Sequence, residues 1–310
     1  MKRLLPLAAL ALAAPLPAQE QPPSPNAIVN AAPQDDWTVI APEDLLVMEL
    51  AADAEGKARQ VVIQLMPPPF SQGWVANIRT LAAAHYWDGT GIYRVQDNYV
   101  TQWGDLSEEK PLPAGLKVVP ESEYVDREPL ENLLAAVAEV DGSRSARDPY
   151  AAKTRNFGGW PVASAGSEWW PVHCYGMVGV ARSLDNTGMG TDLYTVIGHA
   201  PRQLDRNIAV VGRVIAGIEH LSSLPRGKGE LGFYDEDEAA KRVPILSVRL
   251  GSELPEAEQP QFEYLSTESE SFAAYAHARA NRQDLFYKVP AGGADICNIP
   301  VPVRAFEYGE

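Results

Sequence analysis

The sequence predicts a mainly β fold, a closed antiparallel barrel capped at both ends by helices. Three observations predict it: many short apolar runs of strand length parted by turn residues, one good amphipathic helix pattern, and one shorter helix pattern. With 310 residues the chain can bury a full core, and its length fits one enlarged domain or two small ones.

The chain opens on a targeting pattern. Lys2 and Arg3 supply a positive start, residues 4–14 an apolar stretch and Leu16-Pro17-Ala18 a small-residue cleavage site, so residues 1–18 are expected to be a signal peptide. No later run is long and apolar enough to span a bilayer, and a lipoprotein would need a cysteine near the cleavage site, where there is none. Export is the expectation, to a periplasm first and to the medium second. Removing Lys2 and Arg3 takes the formal net charge from −15 to −17. A chain this acidic repels phosphate backbones, which argues against a nucleic acid partner.

Residues 19–36 are rich in proline and polar residues and are expected to be a linker. Strand patterns follow at 38–40, 45–50 and 61–65, the last two placed about a glycine-containing turn as in a hairpin. Trp74, Ile78, Leu81 and Ala82 recur at helical spacing, with Ser71 in position to cap. The most informative stretch is 87–105, WDGTGIYRVQDNYVTQWGD. Asp88-Gly89 is a turn dipeptide, and Ile92, Tyr93, Val95, Tyr99 and Val100 suit a pleated, half-buried surface. Strict alternation puts Ile92 and Arg94 on one face, and Val100 and Gln102 on one face of the returning strand. Between 106 and 171 the pattern weakens, apart from helical spacing over 127–140, and the region reads as an insertion packed on the domain. Ile218, Leu221 and Leu224 mark a short helix, and residues 271–282 another. The tail after 289 reads either as an ordered strap or as a loose end.

In order and spacing, Ile92-Tyr93-Arg94-Val95, Tyr99, Gln102 and Gly104-Asp105 resemble the core signature of the cyclophilin-type peptidyl-prolyl isomerases. The resemblance returns in the strand expected at 176–181, the polar glycine-containing loop at 185–191, a strand expected at 193–197, the turn Leu204-Asp205-Arg206-Asn207, a strand expected at 208–211 and the closing strand expected at 243–250. It covers roughly 37–254, broken by the insertion at about 106–171, and leaves 255–310 as a C-terminal extension. It implies an eight-stranded cyclophilin-like barrel with two capping helices, a cofactor-free enzyme, and proline-containing unfolded or flexible polypeptides as partners. It is silent on oligomeric state.

The resemblance also assigns roles. Arg94 becomes the catalytic donor, Tyr99, Val100, Tyr194 and Leu204 the lining of a proline pocket, and Gln102 a holder of substrate backbone, with Ala181, Arg182 and Asp192 completing the groove. The chemistry suits an arginine. Amide resonance sets a barrier of about 18–20 kcal/mol, and a fixed, permanently charged donor can bond the proline nitrogen as it turns pyramidal, favouring the twisted state over the planar one. Four positions depart from the family pattern: Arg182 replaces a backbone-binding asparagine, Asp192 a glutamine, Gln203 a tryptophan and Ile208 a histidine. Arg182 and Asp192 add charge to the groove, and their opposite signs would allow an ion pair. Each role has a plainer competitor, since arginines on strands more often serve surface ion pairs and buried tyrosines more often only pack.

Other signals carry less. Residues 227–232, GKGELG, match a dinucleotide fingerprint by letters, but no buried strand precedes them. The acidic run 235–238 reads as a solvated loop or helix start, and the five histidines have no metal-site spacing. His173-Cys174 lacks any supporting hydrolase motif. Cys174 and Cys297 are the only cysteines, and an exported chain with an even count commonly pairs them, here strapping the extension to the barrel; the alternative is two buried thiols. The sequence thus reads as an exported isomerase that assists folding. The alternatives are a non-catalytic proline-peptide binder or chaperone on the same barrel, and a structural partner protein whose insertion and extension form the useful surface.

Overall fold

The computed structural model describes residues 22–107, 109–127, 148–283 and 286–306. In chain order the strands are β1 (Trp37–Ile40), β2 (Leu45–Leu50), β3 (Arg59–Leu65), β4 (Gly91–Val95), β5 (Val100–Gly104), β6 (Lys153–Phe157), β7 (Trp160–Ala165), β8 (Glu168–Pro171), β9 (Met177–Val180), β10 (Leu193–Val196), β11 (Val210–Ala216), β12 (Val243–Leu250), β13 (Phe262–Leu265) and β14 (Val303–Ala305). The described helices are α1 (Pro25–Ala31), α2 (Gln72–Ala83), α3 (Glu219–Ser222) and α4 (Glu270–Ala280).

Eight strands close a barrel in the order β10-β5-β4-β12-β2-β3-β11-β9, with β9 pairing back to β10, and every described pairing is antiparallel. Closure removes the free edges that a sheet of this size would otherwise expose. The mainly β barrel expected from the strand pattern is therefore the observed architecture. The interior is built from alternate strand residues such as Met48, Ile63, Ile92, Val180 and Ile245, joined by the inward face of α2 through Trp74, Ile78 and Leu81.

Several local expectations are corrected. Ser71 precedes α2 in a left-handed conformation, φ 57°, with no side-chain cap; the Gly73 amide donates instead to Glu123 Oε2 at 2.9 Å, a residue of the insertion. Residues 25–31, expected within a linker, form α1. Ser24 accepts from the Ala27 amide, Pro25 supplies a preset φ at the first turn, and Ile28 and Val29 pack on Trp37, Phe272 and Tyr275. The strand expected at 208–211 begins two residues later and runs to Ala216. The run at 38–40 is a strand but not a barrel strand, for β1 pairs with β13, which pairs with β14 of the extension. The insertion contributes a three-stranded sheet, β6-β7-β8, whose Trp160, Val162 and Trp170 are buried in the main core. All but residue 127 of the helix expected at 127–140, and the signal peptide over 1–18, lie outside the described residues.

The extension is an ordered strap over 286–306. A Cys174–Cys297 disulfide ties it to the residue pair just ahead of β9, and Tyr275 donates to the Pro300 carbonyl at 2.8 Å.

Candidate active site

A row of paired residues runs across the barrel wall. Arg94 of β4 faces Gln102 of β5, Gln102 faces Tyr194 of β10, and Tyr194 faces Gly179 of β9. Partners directly opposite in an antiparallel ladder share a face, so register alone brings Arg94, Gln102 and Tyr194 together. A bulge makes this possible. The β4–β5 register shifts between Ile92 and Arg94, so Ile92 pairs with Trp103 in the core while Arg94 pairs with Gln102 on the opposite face. The shared face expected for Ile92 and Arg94 is thereby overturned.

The Arg94 guanidinium is half-buried and held on three sides. Its Nη1 donates to Gln102 Oε1 at 2.9 Å, its Nη2 to Gln96 Oε1, and its Nε to the Leu231 carbonyl at 2.8 Å. Its Cζ lies 5.2 Å from the Phe233 ring centroid and 5.8 Å from that of Tyr99, within cation–π range. Three of five N–H donors are used, which leaves two for a ligand. Desolvation lowers the Arg94 pKa while Tyr99, Tyr93 and Tyr194 raise it, and an arginine stays charged throughout. Gln102 is oriented from its other end, since its Nε2 donates to the Tyr93 hydroxyl at 2.7 Å and that hydroxyl donates to Asp192 Oδ1 at 2.7 Å. Burial and the Asp192 carboxylate push the Tyr93 pKa far above its ordinary value, so the phenol remains a donor.

Beside Arg94 lies an apolar cluster of Val100, Tyr194 and Val196 with Tyr99, Ala181, Leu204 and Ile208. Arg94, Tyr99, Val100, Gln102, Ala181, Arg182, Asp192, Tyr194 and Leu204 all line one open cavity of about 750 Å³. Arg182 and Asp192 take separate partners: Arg182 Nη1 donates to the Ser183 carbonyl at 2.9 Å and its Nε and Nη2 to that of Asn207, while Asp192 receives Tyr93. The loop at 187–191 is held by two buried indoles, Trp74 Nε1 donating to the Gly188 carbonyl at 3.0 Å and Trp87 Nε1 to that of Thr191 at 2.8 Å.

Sequence reasoning missed two parts of this cavity. Leu106, Leu112 and Val118 of the insertion also line it, and no periodic pattern marks them. The other part is the loop carrying Leu231 and Phe233, whose glycines were visible only as a failed nucleotide fingerprint. Its Gly227 amide donates to the Val95 carbonyl, and Tyr234 donates to that of Tyr93, so the loop is pinned to β4 on both sides of Arg94. Among the described residues no group of three or more histidine, cysteine, aspartate or glutamate side chains is arranged to hold a metal ion.

Comparison with known proteins agrees with this geometry. Residues 57–250 match the family model described as cyclophilin type peptidyl-prolyl cis-trans isomerase/CLD. Among solved structures, the cyclophilin AquaCyp293 from Hirschia baltica superposes with a TM-score of 0.66 at 21% identity, covering 88% of this chain and 95% of that one. A Cryptosporidium parvum cyclophilin type peptidyl-prolyl cis-trans isomerase, solved in the presence of the dipeptide Ala-Pro, gives a TM-score of 0.37 at 12% identity over 66% of this chain and 98% of that one, too distant to carry an argument. Among curated proteins none matches. A barrel closed in this strand order, a groove-facing arginine braced by a glutamine, and a family match over more than half the chain place this protein in the cyclophilin-type peptidyl-prolyl cis-trans isomerase family.

Proposed function

We propose that the protein isomerises prolyl bonds in exported polypeptides, with Arg94 as the group that lowers the barrier. The observation that carries this reading is the in-register row of Arg94, Gln102 and Tyr194 on the groove face. The proline ring sits against Tyr99, Val100, Tyr194 and Leu204. The two remaining guanidinium N–H groups meet the proline nitrogen as its lone pair localises, and Gln102 and the groove rim about Ala181, Arg182 and Asp192 hold the flanking backbone. No bond is made or broken, so the whole effect is stronger binding of the twisted amide than of either planar isomer. The targeting pattern at 1–18 and the Cys174–Cys297 disulfide support an oxidising, exported setting.

A protease-coupled assay on a short proline peptide tests the reading. Arg94→Ala should lower turnover on the order of 10²- to 10³-fold, as for other donors that act in the transition state, with a smaller loss of peptide affinity. Arg94→Lys should not rescue it, because an ammonium cannot bond Gln102, Gln96 and the Leu231 carbonyl and still present a planar pair. A folded Arg94→Ala variant with full turnover sinks the mechanism. A parent protein that binds proline peptides with negligible turnover would make it a binding module instead.

A further inference from the structure

Behind the proline pocket the Tyr194 hydroxyl joins a chain of buried polar side chains, His173, Asp205, Arg202 and Asp148, to which the isomerase mechanism gives no part. The Tyr194 hydroxyl is 2.9 Å from His173 Nε2, and His173, fully buried, places Nδ1 2.9 Å from Asp205 Oδ1. The same oxygen accepts the His173 backbone amide at 3.0 Å, and the other Asp205 oxygen accepts Arg202 Nε at 2.6 Å. Arg202 then makes a two-pronged contact with Asp148, at 2.8 and 3.1 Å. An ionised carboxylate only accepts, so His173 Nδ1 carries a proton toward Asp205, and in the neutral ring Nε2 accepts from Tyr194.

Two features tie this chain to the pocket. Register sets Tyr194 opposite Gly179, where a Cβ would lie 2.3 Å from the Tyr194 hydroxyl oxygen, so a glycine there makes room for the phenol. In addition, Arg202 and Asp205 flank the turn that presents Leu204, and the Leu204 carbonyl accepts the Ile208 amide at 3.1 Å. Three walls of the pocket, Tyr194, Leu204 and Ile208, therefore hang from one buried anchor. Buried ionic chains are weak contributors to stability beside apolar packing of equal volume, so their value is to be sought in the arrangement that they fix.

We propose that His173 is a positioning residue of the proline pocket, gripping the Tyr194 hydroxyl on one side and Asp205 on the other so that the pocket walls are preset for the proline ring. The proposal rests on the reading that Tyr194 and Leu204 contact proline. Because a hydrogen bond of this kind contributes modestly, Tyr194→Phe and His173→Ala should each weaken binding of a short Ala-Pro peptide by about 3- to 10-fold, measured by calorimetry, and raise KM in step, with kcat changed less than about twofold. The double variant should be no weaker than the worse single one, since both remove the same bond. His173→Gln, whose amide can still bridge hydroxyl and carboxylate, should recover most of the affinity. Losses that multiply in the double variant, or single variants that lower only thermal stability, overturn the proposal. Should His173→Ala fail to fold, Tyr194→Phe decides it, with unchanged affinity counting against. A parent without turnover would refute the role given to Arg94 and leave this experiment intact, because affinity is its readout.

Discussion

At residue scale, burial and hydrogen bonding between them decide which groups at this pocket hold a fixed proton and which hold a fixed charge. Tyr194 is pushed well above its ordinary pKa, by burial first and by neighbouring Tyr99 and Asp205, so it stays a phenol at any working pH. Asp205 goes the other way. Burial alone would raise it, but the hydrogen bonds from His173 and Arg202 outweigh that and hold its carboxyl below the ordinary 3.8. A depressed carboxylate pKa contributes stability that is fully present above the unfolded value and is lost as pH falls through the folded one. Thermal stability should therefore decline as pH drops below about 3.8, and Asp205→Asn should have a flatter acid limb there while being less stable than the parent at neutral pH. Melting temperatures from pH 2 to 7 check this; parallel acid limbs would exclude Asp205 as a contributor.

At the scale of elements, the loop from Gly227 to Phe233 shows how a short segment can set one side chain. Gly232 has φ 82°, and a Cβ there would sit 2.6 Å from Gln96 Cα and 2.8 Å from the Val95 carbonyl oxygen, so the loop lies flat on β4 only without a side chain. Gly232→Ala should lift the loop, withdraw the Leu231 carbonyl from Arg94 Nε and reduce kcat/KM by about tenfold, in the range of one lost charge-assisted hydrogen bond. Gly56, also at φ 82° but with nothing within 4 Å of its would-be Cβ, is the control. Gly56→Ala carries the backbone strain, about 1 kcal/mol, and should leave turnover unchanged. Equal activity in the two variants would show that the loop does not set Arg94.

The same scale explains what was legible beforehand. The runs at 45–50 and 61–65 were readable because they are short apolar stretches of strand length, buried almost throughout on both faces and bounded by turn residues. The groove residues were readable because a fixed order of residue types on one hairpin survives in this chain. The bulge at Tyr93 was not, since a register shift depends on the partner strand rather than on the run itself. The insertion hid its sheet because β6 is short and half-exposed, and Trp160 of β7 and Trp170 of β8 find their partners in the core only after folding. The His173 chain was hidden too: its members lie up to 57 positions apart, and nothing in their spacing joins Asp148, His173, Tyr194, Arg202 and Asp205.

At the scale of the whole molecule, the question is how far the barrel depends on the extension. The eight barrel strands end at Leu250, so closure itself requires nothing beyond β12. The outer face of β2 and β3 is different. Leu45 and Val62 are buried there with Ile40, against Phe262 and Tyr264 of β13 and Val303 of β14, and β1 has no described partner other than β13. A chain ending at Leu254 should keep the barrel and the groove but uncover these side chains and lose the disulfide that spans 123 positions. Exposing an aliphatic side chain costs about 1.5–3 kcal/mol when it is complete, and removing a native disulfide about 2–5 kcal/mol. At about 2–4 °C per kcal/mol for a domain of this size, the melting temperature should fall by at least about 10 °C while the transition stays cooperative. Cys174→Ser with Cys297→Ser in the full chain separates the two contributions, and should reproduce only the part of the fall that comes from the strap. Turnover per folded molecule should be the same in all three proteins, because no described residue of 255–310 lines the groove. A shortened chain without a cooperative transition would make β13, α4 and β14 part of the folding unit rather than a cover laid over it.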